Sequence, residues 1–330
     1  MELLSVKNLQ TTFRIGVGTV QAVRGVSFHV DEGESIGIVG ESGSGKSVTM
    51  LSVMRLLPEY ASITADSIDF GGRELTTLSQ KEMRAIQGRD IGMIFQDPMT
   101  SLNPLFTVRQ QLTESLKIHQ GLRGEAARAR ALQLLRQVEI PNPGERLRQY
   151  PHELSGGMRQ RVMIAIAIAC SPRMVIADEP TTALDVTIQA QILELLASLQ
   201  KESRASSIMI THDLGVIASM CSRILVMYGG IICEEGTTRD IFYRPKHPYT
   251  WGLLNSIPKI SGDRGEKLIP IRGTPPDMLR PPEGCPFAPR CRYAMPVCRM
   301  YMPPRTALEG AHAVSCHLMH PKAPKIGREG

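Results

Sequence analysis

The sequence predicts an α/β fold built around a parallel sheet, and two patterns support that prediction. Short apolar runs end at polar residues and alternate with segments of helical periodicity, which is typical of strands buried between helices. One run, residues 35–39, leads into a glycine-rich stretch at residues 40–47 and then into a helical pattern over residues 48–57. Strand, glycine turn and helix in this order are where a parallel-sheet fold places an anion site.

The glycine-rich stretch reads GESGSGKS and fits the phosphate-loop pattern G-x-x-x-x-G-K-[ST]. Its glycines let consecutive backbone N–H groups turn toward one anion. We expect Lys46 to reach the β- and γ-phosphates, the Ser47 hydroxyl to ligate Mg²⁺, and Thr49 to contact the α-phosphate. The nucleotide-binding residues predicted from this element are Gly40, Ser42, Gly43, Ser44, Gly45, Lys46, Ser47, Val48 and Thr49.

A pair of carboxylates follows a second apolar run, residues 174–177. This run predicts a buried parallel strand, which delivers Asp178 and Glu179 at its carboxyl end, the edge that carries the chemistry in α/β folds. We expect Asp178 to hold Mg²⁺ through water and Glu179 to polarise the attacking water as general base.

Two further predicted strands end at candidate catalytic residues. Residues 91–95 end at Gln96, whose neutral amide can ligate Mg²⁺ and contact the attacking water. Residues 207–210 lead into Thr211 and His212, and a histidine there can hydrogen bond the γ-phosphate and hold the general base. The prediction depends on both residues following strands.

A resemblance to a known family rests on these motifs together with Leu154-Ser155-Gly156-Gly157-Met158, which precedes a predicted long helix. The phosphate loop, Gln96, this signature, Asp178-Glu179, residues 183–185 and His212 occur in the order seen in ATP-binding-cassette (ABC) ATPases. The resemblance covers about residues 1–250. It implies a P-loop NTPase with a RecA-like core, an antiparallel β subdomain at the N-terminal end, and a helical subdomain inserted at about residues 97–168. In that family, Phe13 would stack on adenine.

The same resemblance implies a dimer. ATP would be held between the phosphate loop of one subunit and Ser155, Gly156 and Gly157 of another, with Asp185 also at the nucleotide. Because this chain carries both half-sites, we expect it to hydrolyse ATP itself.

Composition excludes several other classes of protein. The longest apolar run in the 330 residues is the nine residues 162–170, against the roughly 20 that a membrane span needs. The start of the chain lacks the pattern of a signal peptide. The net charge of +6 is diffuse and forms no basic block with interleaved aromatic residues, so nucleic acid is disfavoured. We expect a cytoplasmic protein whose channel, if it drives transport, is formed by separate membrane subunits.

The chain has seven cysteines, and four of them lie close together near its C-terminal end. Cys170, Cys221 and Cys233 lie in apolar segments and are expected to be small buried hydrophobes. After a Pro- and Gly-rich linker predicted at residues 258–283, the other four follow the spacing C-x5-C-x6-C-x17-C, and they are Cys285, Cys291, Cys298 and Cys316. Four thiols in so short a cytosolic segment indicate a metal rather than disulfides.

The identity of that metal is open from the residues alone. Wide single spacings suit an iron–sulfur cluster, because zinc sites usually show C-x2–4-C pairs. His312, His317 and His320 lie nearby and keep Zn²⁺ as an alternative. Four unligated thiols are a third possibility, although a short Pro-rich segment with so little apolar content needs a staple to fold.

Further motifs extend the resemblance over essentially the whole chain. Residues 247–250 (HPYT), 275–276 (PP), 284–286 (GCP), 289–291 (PRC) and 95–104 (FQDPMTSLNP) resemble ATPases of dipeptide and oligopeptide importers. The resemblance implies an ABC domain at residues 1–250 and an importer-type extension at residues 251–330. In several members the four cysteines bind a [4Fe-4S] cluster, which we expect to be structural.

The resemblance also implies the partners. The chain would be a peripheral ATPase on the cytoplasmic face of the cell membrane. It would work with two transmembrane permease subunits, a second ABC ATPase (the family favours a related chain over an identical one) and, indirectly, an extracellular or periplasmic solute-binding protein. Peptides are the expected solute, with glutathione, nickel chelates and sugars as alternatives.

Two alternative functions have less support in the sequence. A soluble ABC ATPase acting in DNA repair or translation would be expected to have a second cassette, a long heptad run or a basic stripe, and the sequence shows none of these. A redox sensor, in which a cluster regulates the ATPase, is motivated by the cysteines alone.

Overall fold

The computed structural model describes residues 1–182, 184–256 and 270–326. The chain forms two compact units. The helical unit comprises residue 1 and residues 31–34 and 77–210; the phosphate-loop unit comprises residues 2–30, 35–76 and 211–330.

The elements are numbered in chain order. The strands of the described residues are β1 Glu2–Ile15, β2 Gly18–Asp31, β3 Ser35–Val39, β4 Ala61–Thr64, β5 Ser67–Phe70, β6 Arg73–Glu74, β7 Ile91–Ile94, β8 Met174–Asp178, β9 Ser206–Ile210, β10 Arg223–Tyr228, β11 Ile231–Thr237, β12 Arg305–Ala307 and β13 Ala313–Ser315. The α-helices are α1 Lys46–Val53, α2 Gln80–Ile86, α3 Pro98–Ser101, α4 Val108–Gln120, α5 Gly124–Gln137, α6 Pro143–Arg146, α7 Gly156–Ile168, α8 Val186–Ser203, α9 Leu214–Met220, α10 Thr238–Tyr243, α11 Pro248–Asn255 and α12 Pro296–Met300.

An antiparallel sheet opens the phosphate-loop unit, with strand order β2-β1-β5-β6 and with β4 also paired to β1. The sequence pattern predicts such a sheet from three short strands, at residues 4–6, 20–23 and 26–30. The structure instead has two strands of 14 residues each. The middle of β1 continues as strand because Leu9 and Thr11 are buried on one face and the exposed Gln10 between them lies on the other.

The second group of strands in this unit includes β3, which is wholly buried. Strand β10 runs parallel to β3 and antiparallel to β11. Two apolar runs around Gly229 and Gly230 predict a hairpin within residues 223–233, and the structure has this hairpin with both glycines at its turn. Strands β12 and β13 were not predicted; β13 pairs with β11, so the C-terminal segment adds strands to this group. The predicted linker lies partly in residues 257–269, which are outside the described residues, and residues 270–283 contain no helix or strand.

Helix α1 begins two residues earlier than the sequence predicted and ends four residues earlier. It begins at Lys46, directly after Gly45, which has a left-handed conformation. It ends before Arg55, which takes a positive φ of 51° and so cannot continue a right-handed helix.

Parallel strands β7, β8 and β9 form the sheet of the helical unit, with β8 between the other two. Helices α4, α5 and α7 pack together. The helical period of the sequence predicts one apolar face formed by Ala131, Leu134, Leu135 and Val138, and all four side chains are fully buried. Helix α7 contains residues 162–168 of the longest apolar run, and most of these side chains are buried in this core. Throughout the described parts of the chain, no helix combines the length and apolar character that crossing a membrane requires.

Candidate functional site

The phosphate loop has a conformation that its glycines make possible. Gly40, Gly43 and Gly45 have φ angles of 155°, 76° and 100°. A Cβ atom on Gly40 would lie 2.2 Å from the carbonyl oxygen of Met227, and one on Gly45 would lie 2.5 Å from that of Ala22. Larger residues at these two positions would therefore push the loop away from the strands that support it.

Lys46 folds back over the loop. Its side chain is buried, and Nζ donates to the carbonyl oxygens of Gly40 at 2.8 Å and Glu41 at 3.0 Å. The buried hydroxyl of Ser44 has no hydrogen-bond partner among the described residues. A buried ammonium group and an unsatisfied hydroxyl in one glycine loop fit a polyphosphate ligand.

The remaining loop residues differ in exposure. Ser42 and Gly43 are exposed, and Ser47 and Val48 are half-buried. Helix α1 has no side-chain cap, because its N-cap residue is Gly45. Thr49 is fully buried and its hydroxyl donates to the carbonyl oxygen of Gly45 at 2.8 Å, so its contact with the α-phosphate stays a prediction.

His212 and Phe13 belong to the same unit as the loop. The backbone N–H of Thr211 donates to the carbonyl oxygen of Ile38 at 3.3 Å, which places the residue before His212 beside the strand that enters the loop. Phe13 lies on β1, half-buried, with its ring centroid 6.1 Å from that of the exposed Tyr60. Their nucleotide contacts stay predictions.

The helical unit brings Gln96 and Glu179 together. Asp178 ends β8 and is 5% exposed, and Glu179 follows it. One carboxylate oxygen of Glu179 accepts from the Gln96 amide at 3.1 Å and from the Thr182 hydroxyl at 2.9 Å. Sequence reasoning missed Thr182, and the available signal was a hydroxyl residue three positions after the candidate base.

Glu179 also has a strained backbone. Its φ is +44°, in the left-handed region, while its N–H donates to the carbonyl oxygen of Ile210 at 2.9 Å. Such a conformation costs on the order of 1–3 kcal/mol and is concentrated at functional sites. This left-handed conformation changes the direction of the chain at Glu179, directly after the end of β8.

The signature forms a helix N-terminus. Ser155 caps α7 by accepting from the Met158 N–H at 3.4 Å, and Gly156 and Gly157 form the first turn, with Gly156 exposed. A Cβ atom on Gly157 would lie 2.9 Å from Cγ2 of Ile188 in α8. The glycines therefore give an accessible set of N–H groups and also allow close packing of α7 on α8.

Asp185 is an N-cap as well. Its carboxylate accepts from the Ile188 N–H at 3.0 Å at the start of α8. Ala183 lies outside the described residues. The helical spacing of the apolar residues in α8 predicts that they form one buried face. Of these residues, Ile192, Leu195, Leu196 and Leu199 are buried and Ile188 is half-buried.

The four C-terminal cysteines line one small cavity of the phosphate-loop unit, together with His247 and His317. Burial, with a smaller contribution from the neighbouring thiols, raises the pKa of Cys285 to about 11 and that of Cys316 to about 12. Over the described ranges, however, no three Cys, His, Asp or Glu side chains are arranged to hold a metal ion. The donor set converges on one cavity, but a ligand geometry is not preformed.

Two of the three predicted histidine donors have hydrogen-bond partners outside this cavity. His312 is buried and forms a 2.9 Å hydrogen bond with Glu234, and His320 accepts from the Lys322 N–H. His317 is therefore the one of the three predicted histidines that reaches the cavity. Cys221 and Cys233 are buried, as predicted, whereas Cys170 is half-buried.

Comparison with known proteins agrees with this geometry. A family model described as "ABC transporter" matches residues 23–182, and one described as "Oligopeptide/dipeptide transporter, C-terminal region" matches residues 233–298. The dipeptide transport ATP-binding protein DppD of Bacillus subtilis is 55% identical over 323 residues, covering 98% of this chain and 96% of that protein. The oligopeptide transport ATP-binding protein OppD of Salmonella typhimurium is 48% identical over 314 residues, covering 95% and 93%.

Solved structures show the same fold. The dimeric structure of a post-hydrolysis state of an ATP-binding cassette bound to ADP and Pi matches with a TM-score of 0.64 at 31% identity, covering 72% of this chain and 99% of that one. The fold and the motifs together thus define an ABC-type ATPase. The chain belongs to the ABC transporter ATPase family, in the group that carries the oligopeptide/dipeptide transporter C-terminal region.

Proposed function

We propose that this chain is the ATP-hydrolysing subunit of an importer for dipeptides or oligopeptides, peripheral to the cytoplasmic face of the membrane. The observation that carries the hydrolytic part is the Glu179 carboxylate, held by Gln96 and Thr182 directly after a buried strand. The peptide part is supported by the dipeptide and oligopeptide transport proteins that match over nearly the whole chain.

In this proposal the phosphate loop binds the triphosphate through its backbone N–H groups. Lys46 leaves the loop carbonyls that it contacts at present and pairs with the β- and γ-phosphates. The half-buried Ser47 hydroxyl, Gln96 and Asp178 would hold Mg²⁺, which would neutralise charge on the phosphate oxygens. Phe13 stacks on adenine, with Tyr60 at 6.1 Å beside it.

Hydrolysis then requires a positioned water. Glu179 accepts a proton from the water as its oxygen forms a bond to the γ-phosphorus and the bond to the ADP oxygen breaks. Gln96 and Thr182 fix the carboxylate of Glu179 by hydrogen bonds to one of its oxygens. His212 contacts the γ-phosphate and helps to hold the base.

Closure of a dimer completes the nucleotide site. Ser155, Gly156 and Gly157 present the N-terminus of α7 to the γ-phosphate bound by a second ATPase subunit, and Asp185 contributes at the same nucleotide. A dimeric arrangement occurs in the matched structure of a bacterial ABC transporter cassette. We propose that the second subunit is a related ATPase and that two permease subunits receive the motion.

We also propose that Cys285, Cys291, Cys298 and Cys316 hold a structural [4Fe-4S] cluster, with Zn²⁺ as the alternative. Support comes from the shared cavity and from a donor set of four thiols. Iron, sulfide and zinc analysis of anaerobically purified protein distinguishes the two, because a cluster requires equal iron and sulfide.

Co-purification tests the importer assignment. The tagged chain is recovered from detergent-solubilised membranes of its own source organism, and its partners are identified by mass spectrometry. Two multi-span proteins and a second ABC ATPase are expected. Recovery with ribosomes or DNA, or without any membrane protein, would contradict transport.

A further inference from the structure

An ion pair joins the cysteine-rich segment to the phosphate loop. Arg290 immediately precedes Cys291, and its side chain is 5% exposed. Its two terminal nitrogens donate to the two carboxylate oxygens of Glu41, at 2.5 and 3.0 Å. Glu41 is the second residue of the phosphate loop, so a bidentate contact links positions 249 residues apart in sequence.

The guanidinium of Arg290 is held on every side. Besides Glu41, it donates to the Tyr228 hydroxyl at 3.1 Å and to the carbonyl oxygens of Ile271 at 3.0 Å and Arg272 at 2.9 Å. Five hydrogen bonds match the five N–H donors of an arginine. The charge is therefore fixed in one position, unlike that of Arg292, which is exposed two residues further on.

An aromatic contact joins the same two regions. The backbone N–H of Glu41 donates to the Tyr249 hydroxyl at 2.8 Å. Phe287, which lies between Cys285 and Cys291, packs against the rings of Tyr228 and Tyr249 with centroid distances of 5.2 and 5.3 Å. The segment between the first two cysteines thus supports both the backbone and the side chain of Glu41.

The charge of Glu41 explains why such support matters. Its carboxylate belongs to a loop built to receive a polyphosphate, and like charges repel most strongly where a site is partly buried. Lys46 already contacts the backbone carbonyl of Glu41, so the position of this residue also affects the lysine. A bidentate arginine balances the charge of the carboxylate and fixes its position.

We propose that Arg290 is a positioning residue for the phosphate loop, so that the cysteine-rich segment sets the affinity of the loop for nucleotide. The proposal rests on the proposed ATP-binding function and goes beyond it, because it places a determinant of nucleotide affinity in the C-terminal segment. Arg290 acts through Glu41 and is not itself expected to touch ATP.

A double-mutant cycle on the full chain tests this. The dissociation constant of a fluorescent ATP analogue with Mg²⁺ is measured for the wild type, Arg290→Gln, Glu41→Gln and the double variant, with Arg292→Gln as matched control. Arg290→Gln is expected to raise the constant about tenfold, which corresponds to about 1.4 kcal/mol. Arg292→Gln is expected to leave it unchanged, and Glu41→Gln is expected to bind at least as tightly as the wild type.

The decisive comparison is rescue. If Arg290 neutralises Glu41, the double variant binds nucleotide more tightly than Arg290→Gln, because the unpaired carboxylate is gone. Equal affinities of Arg290→Gln and Arg292→Gln, or no rescue in the double variant, would overturn the proposal. Arg290→Lys keeps the charge without the planar fork and should weaken nucleotide binding less than Arg290→Gln does. If Arg290→Gln does not fold, neutralisation is supported when Arg290→Lys has wild-type affinity and the double variant binds as tightly as Glu41→Gln. A tenfold loss of affinity in either comparison overturns the proposal.

The outcomes separate this proposal from the proposed function. A wild type that binds no nucleotide removes the ATPase assignment itself. A wild type that binds and hydrolyses ATP, with no effect of Arg290→Gln, removes the positioning role alone.

Discussion

The side-chain amide of Gln96 lies 3.1 Å from the carboxylate of Glu179 and donates a hydrogen bond to it. The two residues are 83 positions apart in sequence, and each follows a strand of the same parallel sheet. The contact therefore reflects the topology of the sheet, which brings the carboxyl ends of β7 and β8 to one edge. It fixes the rotamer of the residue that we propose as general base.

Replacing Glu179 by Gln keeps the shape of the side chain and removes its basicity. We expect turnover to fall by a factor of about 10² to 10⁴, the range for loss of a general base, while ATP binding persists. Phosphate release by the purified ATPase complex measures the first, and binding of a fluorescent ATP analogue measures the second. Near-normal turnover would remove the base assignment.

Thr182 is predicted to orient that base. Because its hydroxyl donates to the same oxygen at 2.9 Å, Thr182→Ala should lower kcat roughly five- to tenfold, the effect of about 1 kcal/mol from one hydrogen bond. Thr182→Ser keeps the hydroxyl and should restore most of the rate. An equal loss in both variants would show that the methyl group, rather than the hydrogen bond, is what matters.

Gly92 is predicted to be required for the packing of α7 on β7. A Cβ atom there would lie 2.3 Å from the backbone oxygen of Ala167, which cannot move without moving the helix. Gly92→Ala should therefore lower the free energy of unfolding by about 1–3 kcal/mol, as overpacking does. Gly144→Ala, in α6 at a position where an added Cβ atom meets no packed neighbour within 4 Å, is the control and should not lower it, because alanine in place of a helical glycine adds up to about 1 kcal/mol. Chemical denaturation compares the two, and equal stability would show that the helix adjusts freely.

His247 predicts a dependence of stability on pH. Burial lowers its pKa to about 4, although nearby Glu234 opposes the shift, and its Nδ1 caps α11 by accepting from the Tyr249 N–H. The folded pKa lies below the unfolded value of about 6.5. The neutral ring therefore contributes stability above pH 6.5, and that contribution is lost as the pH falls toward 4.

The control variant for this effect is His247→Asn, whose amide oxygen can cap the helix and does not titrate. Between pH 7 and pH 5 the wild type should lose about 2 kcal/mol more unfolding free energy than the variant. Denaturation curves at several pH values measure the difference. Parallel pH dependences would contradict the assignment to His247.

Much of the site could be predicted because its residues follow strands that have a strong apolar signal. Residues 35–39, 174–178 and 206–210 are buried strands in the structure, and the residues that follow them carry the proposed chemistry. The burial of one face of α5 followed in the same way from its helical period.

The rest depends on contacts between distant parts of the chain. No local pattern indicates that Arg290 reaches Glu41, or that the buried Gln160 amide donates to the carbonyl oxygen of Pro180 at 2.6 Å. Strands β12 and β13 have three residues each, too few for an alternating pattern to stand out. The cysteines could be grouped by their spacing, but the choice between iron–sulfur and zinc depends on ligand geometry, which spacing does not specify.

Transport by the reconstituted complex tests the central claim most directly. The complex co-purified with the chain is placed in proteoliposomes with its solute-binding protein, and uptake of labelled di- and oligopeptides is followed with ATP on the side of the ATPase subunits. We expect uptake that requires ATP and is lost with Glu179→Gln. Peptide uptake that is unaffected by Glu179→Gln, or ATP hydrolysis that no peptide-loaded binding protein stimulates, would contradict the account.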